Sequence, residues 1–88
     1  MDMPNSSTDL VFPLTAHFRV IAERDRLERD QLELAVQPFT PVEPLAPANT
    51  SRSGRYLSYG FSAVVASREE LNRIDARLRA VPGVRMVL

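Results

Sequence analysis

RYLSYGFSAVVASREE, residues 55–70, decides the fold of this chain. In its first twelve residues Leu57, Tyr59, Phe61, Ala63 and Val65 alternate with Tyr56, Ser58, Gly60, Ser62 and Val64. Successive side chains of a strand point to opposite faces, so this pattern predicts a strand over Arg55–Ala66 with one apolar face and one rich in Ser and Gly. A strand of that kind belongs to a sheet covered mainly on one side. Ser67-Arg68-Glu69-Glu70 follows as a capping box: the Ser67 hydroxyl accepts from the Glu70 amide while the Glu70 side chain reaches back. Leu71, Ile74, Leu78 and Val81 then recur at helical spacing, and Pro82-Gly83 ends that helix. Val84-Arg85-Met86-Val87-Leu88 reads as a short last strand, with Val84, Met86 and Leu88 predicted on one face.

Upstream, the same order occurs once more. Over Thr15–Ala22, Phe18, Val20 and Ala22 alternate with His17, Arg19 and Ile21, which predicts a strand. From Glu23 to Phe39 the period changes. Leu32, Ala35, Val36 and Phe39 share one helical face, and Leu27 and Leu34 widen it. Four charge pairs fall at i,i+4 spacing: Arg24/Glu28, Asp25/Arg29, Arg26/Asp30 and Arg29/Glu33. Pro38 limits this predicted helix. Pro41, Pro44 and Pro47 exclude a helix or a central strand in the next segment, but they suit an edge strand over Val42–Thr50, where one row of amides needs no partner. Ser51-Arg52-Ser53-Gly54 is a turn, with Gly54 free to take a positive φ.

Two β-α-β units with right-handed crossovers give a four-stranded antiparallel sheet with both helices on one face. The expected spatial order is 4-1-3-2, which puts the two most apolar strands in the middle and the proline-rich and five-residue strands at the edges. The uncovered face then carries His17, Arg19, Ile21, Tyr56, Ser58, Ser62, Val64, Arg85 and Val87. The domain is expected to span residues 11–88, behind a flexible tail of residues 1–10.

Composition removes several classes of function. Eleven acidic and eleven basic residues balance, so no overall field draws nucleic acid or an anionic membrane. There is no cysteine, which excludes disulfides and thiolate metal sites. No stretch reaches the roughly 18–20 apolar residues of a membrane span, and Met1–Asp9 is polar, so a cytoplasmic location is the expectation. All eleven basic residues are Arg, a bias that GC-rich coding produces without any recognition chemistry.

Phe12-Pro13, Phe18-Arg19-Val20-Ile21, the Ser-x-x-Gly-x-Tyr-x-Ser spacing of Ser51–Ser58 and the terminal Val84-Arg85-Met86-Val87-Leu88 resemble the YbeD-like family of small bacterial proteins. The resemblance covers about residues 11 to 88. It implies a ferredoxin-like α+β fold similar to ACT-type regulatory domains, no enzyme activity and no established ligand; separately, no cofactor is expected. The family often has Lys at the position of Ser53, which weakens an anion site there.

The residues themselves offer little catalytic chemistry. His17 is the sole histidine; a general base or metal ligand needs partners, and the chain has no second His and no Cys. It reads as an exposed strand residue. The carboxylates of residues 23–33 are interleaved with Arg24, Arg26 and Arg29, the pattern of a solvated, salt-bridged helix face. The turn is the best ligand candidate: Ser51, Arg52, Gly54 and Arg55 combine hydroxyls, guanidiniums and amides expected to point outward toward a carboxylate or phosphate. A hairpin chosen for its geometry is the simpler account of the same residues. The candidate interaction face is Arg19, Ile21, Tyr56, Ser58 and Arg85. RNA-binding domains of this plan stack bases on several aromatics; here the face has one Tyr and the chain has no net charge. The expectation is a non-enzymatic regulatory or interaction domain, acting as a homodimer or with another protein, with a small anionic-metabolite sensor as the alternative.

Overall fold

The computed structural model describes residues 10–88; of the predicted tail, residues 1–9 lie outside them. The elements run β1 (Leu14–Glu23), α1 (Arg29–Val36), β2 (Pro41–Thr50), β3 (Tyr56–Val65), α2 (Arg68–Arg79) and β4 (Val84–Val87). The sheet is antiparallel with order β2-β3-β1-β4, the predicted order read from the other edge. β1 and β3 pair without interruption from Leu14↔Val65 to Glu23↔Tyr56.

One layer of apolar side chains joins the sheet to both helices. Phe18, Val20, Tyr59, Phe61, Ala63, Val65 and Val87 come from the strands; Leu32, Ala35 and Val36 come from α1, and Ile74 and Leu78 from α2. Both helices therefore lie on the same side of the sheet. The Arg77 guanidinium links them by donating to two carbonyls at the end of α1, those of Ala35 (2.7 Å) and Leu34 (3.2 Å), the second of which also accepts from the Gln37 amide at 3.3 Å. At the start of α2 the Ser67 hydroxyl accepts from the Glu70 amide at 3.1 Å, as predicted. The Glu70 carboxylate reaches one residue further back and accepts from the Ala66 amide at 2.7 Å.

Two sequence expectations are corrected. The first helix begins at Arg29, not at Glu23. The sheet claims the intervening backbone: Glu23 still pairs with Tyr56, its amide donates to the Gly83 carbonyl at 2.8 Å, and the Arg24 amide donates to the Arg55 carbonyl at 2.9 Å. Of the four charge pairs only Arg29–Glu33 forms as an ion pair, at 3.0 Å. Leu27 packs against the core from the turn ahead of the helix, and Leu34 points outward, 55% exposed.

The second correction concerns β4. Strict alternation put Val84, Met86 and Leu88 together and Val87 on the open face. Instead Val84 pairs with Ala22, Met86 with Ile21 and Val87 with Val20, so Arg85 is the extra residue of a β-bulge. The bulge reverses the alternation. Val84 and Val87 turn to the core, Val87 being 5% exposed, while Met86 (47%) and Leu88 (65%) lie in solvent.

Candidate functional site

The sheet face away from the helices is built in rows that run across the strands. In the first row Glu43 of β2 and His17 of β1 both stand opposite Ser62 of β3. In the second row Arg19 and Ala46 both stand opposite Gly60. In the third Ile21 stands between Ser58 and Met86. A depression of about 410 Å³ opens over the first two rows, bordered by His17, Arg19, Glu43, Pro44, Ala46, Gly60 and Ser62. Its floor is low because the central residue is glycine and its neighbour alanine. Nothing lies within 4 Å of where a Gly60 Cβ would stand.

The first row is joined by hydrogen bonds. The Ser62 hydroxyl, 2% exposed, donates to the Glu43 carboxylate at 3.0 Å and lies 2.7 Å from His17 Nδ1. A hydroxyl has one proton to give. With that proton on the Glu43 bond, Ser62 accepts from a proton on His17 Nδ1, and in the neutral ring Nε2 is then the acceptor. The order of groups is carboxylate, hydroxyl, imidazole. In a hydrolytic triad the imidazole sits between the other two, where it can take the proton of an exposed hydroxyl. Here the hydroxyl is covered and its proton is directed at the carboxylate, so the row orients His17 rather than activating Ser62.

Arg19 borders the same depression, and among the described residues its guanidinium pairs with no carboxylate within 4.0 Å. Beyond it the face becomes apolar. Ile21 borders a second hollow with Tyr56 and Ser58, Met86 stands beside Ile21, and Leu88 is held opposite Arg19 by paired backbone bonds of 3.0 and 2.8 Å. Arg85 reaches Glu23 across the bulge at 3.5 Å. The structure thus brings Arg19, Ile21, Tyr56, Ser58 and Arg85 onto one side of the sheet. Val87, expected there too, belongs to the core.

The residues 51–55 turn is a tightly self-bonded hairpin. Gly54 has φ of 74°. The Gly54 amide donates to the Ser51 carbonyl (2.9 Å), the Arg55 amide to the Ser53 hydroxyl (3.2 Å) and the Tyr56 amide to the Ser51 hydroxyl (3.1 Å). Contrary to the expectation of outward-pointing amides, these three amides close the turn. What the turn offers outward is the side chains of Arg52 and Arg55, with the Arg24 guanidinium packed close to Gly54.

Sequence reasoning missed the Glu43–Ser62–His17 row. Strand parity alone puts His17 and Ser62 on the same face, so half of the row was available. Glu43 was not, because β2 meets β3 with three register shifts around its prolines, and no alternation pattern encodes those.

Among the described residues no group of three or more His, Cys, Asp or Glu side chains is arranged to hold a metal, and no helix is long and apolar enough to cross a membrane. Comparison with solved structures finds the fold again in the solution structure of protein HP0495 from H. pylori, with a TM-score of 0.72 and 22% identity, covering 100% of this chain and 97% of that one. Among curated relatives, a UPF0250 protein of Shewanella frigidimarina is 30% identical over 98% of this chain and 100% of its own length. Another from Shewanella amazonensis is 28% identical with the same coverage. A family model described as "Protein of unknown function (DUF493)" matches residues 7–88, in agreement with the YbeD-like resemblance of the sequence, and the chain belongs to that family.

Proposed function

We propose that this protein is a non-enzymatic interaction domain of the regulatory type, and that it works as a homodimer through the open face of its sheet. The observation that carries this reading is the apolar end of that face, where the β4 bulge sets the exposed Met86 beside the half-buried Ile21, with the half-buried Tyr56 and the exposed Leu88 next to them. An exposed group of large apolar side chains on a small protein marks a contact surface.

A second copy suits this surface for two further reasons. Equal numbers of acidic and basic residues leave no net repulsion between copies. A core of this size buries a modest share of the chain's surface, and self-association adds to it. The edges of the sheet are poorer docking sites than its face. β2 is blunted by Pro41, Pro44 and Pro47, and β4 by its bulge and by Arg79, which donates to the Val87 carbonyl at 3.1 Å. The non-enzymatic part of the reading is supported by the order of the Glu43–Ser62–His17 row, which holds a hydroxyl in place rather than preparing it for attack.

Sedimentation velocity over a range of concentrations tests the proposal. Wild type is expected to sediment as a dimer, and the double variant Ile21→Glu/Tyr56→Glu as a folded monomer. A wild-type chain that stays monomeric throughout ends the dimer reading.

A further inference from the structure

We propose that the depression over Gly60 is a binding site for a small zwitterion, a molecule with a carboxylate at one end and an amine at the other. The groups around it are divided by charge. On one side stands Arg19, a planar donor with no carboxylate partner among the described residues, of the kind that grips a carboxylate with two parallel bonds. On the other side stand two acceptors, the Glu43 carboxylate and His17 Nε2. The Ser62 hydroxyl holds both in place, bonded to Nδ1 of one and one oxygen of the other, and both side chains border the depression. These acceptors match an ammonium group. A simple anion would satisfy Arg19 but meet the Glu43 charge, and a simple amine would leave Arg19 unpaired. Between the two ends the floor is Gly60 and Ala46, with open space above, and the volume of about 410 Å³ suits a metabolite-sized occupant.

This site does not rest on self-association. It lies over the His17 and Arg19 rows, and adjoins the apolar contact surface centred on Ile21 and Met86 where Leu88 stands opposite Arg19.

The test is an NMR titration of the full chain, following the amides of Gly60 and Ser62 and the ring nitrogens of His17. The probes are glycine, β-alanine, γ-aminobutyrate and ε-aminocaproate, with butylamine and butyrate as single-charge controls. One member of the series, the one whose charge separation matches the site, is expected to shift these signals most. Both controls should bind at least roughly tenfold more weakly, the difference one charge-assisted hydrogen bond makes. Gly60→Val raises the floor at a position where an added Cβ meets nothing within 4 Å, places a strand-favouring residue there, and is expected to abolish binding. Arg19→Gln and Glu43→Gln should each weaken it about tenfold; the second keeps an acceptor for Ser62 while removing the charge. The proposal is overturned if no zwitterion shifts these signals, if butyrate or butylamine binds as tightly as the best of the series, or if Gly60→Val or both charge variants bind as wild type does.

Discussion

His17 shows how one side chain changes meaning between sequence and structure. Alone on a strand it has no partner to make it basic, nucleophilic or metal-binding. Beside Ser62 and Glu43 it becomes an oriented imidazole whose proton position is dictated by its neighbours. The expected tautomer carries its proton on Nδ1, the minor form of free histidine, and the nitrogen shifts and couplings of the neutral ring report it directly. Ser62→Ala should return His17 to the Nε2-protonated form while lowering stability by about 1 kcal/mol, the worth of an ordinary hydrogen bond. An unchanged ring spectrum in the variant would contradict the row. Glycine gives a second contrast at this scale. Gly83 has φ of 93°, and a Cβ there would lie 2.8 Å from backbone atoms of Arg26 and Leu27. Gly83→Ala is therefore expected to cost about 2 kcal/mol or more, combining a left-handed conformation with a backbone clash. Gly60→Ala meets nothing within 4 Å and should be neutral or stabilising by up to about 1 kcal/mol. Urea denaturation of the two variants separates a glycine needed by the fold from one that shapes a surface.

At the scale of elements, propensity and pairing compete, and pairing prevails at the C-terminal end of β1 and along β4. The helical pattern of residues 23–28 includes well-placed charge pairs, but each such pair contributes only a few tenths of a kcal/mol. A ladder bond buried beside the core is worth more when its loss leaves a peptide group unsatisfied. β1 consequently runs to Glu23, and the helix waits until Arg29. At the C-terminus the same competition produces the bulge. With Val87 on the open face, Val20 would lose its partner over the core; with one residue extruded, both valines are buried and Arg85 reaches Glu23. Chemical denaturation checks this. Val87→Ala is expected to cost about 1–3 kcal/mol, as for truncation of a buried aliphatic side chain, whereas Met86→Ala in dilute monomer stays within about 0.5 kcal/mol. Simple alternation through β4 predicts the reverse ranking.

For the whole molecule, the defining feature is an unequal treatment of the two sides of one sheet. One side is closed by both helices; the other displays a polar depression, then an apolar end. Association through that end should depend weakly on salt, because it buries apolar surface between copies without net charge, and sedimentation at low and high ionic strength measures this. Strand order, the single helical layer, the cap at Ser67 and the central place of β1 and β3 were all legible in the chain, because each follows from periodicity, proline position or turn chemistry acting over a few neighbouring residues. The row from Glu43 through Ser62 to His17, the depression over Gly60 and the apolar group around Met86 were not. They depend on which residue faces which across strands, from 14 positions apart for Ala46 and Gly60 to 65 for Ile21 and Met86, and β2 and β4 both pair with shifted registers. Local chemistry determined the elements and their order, while only the assembled sheet, by choosing registers that bury the most apolar area, decided which side chains share its exposed face.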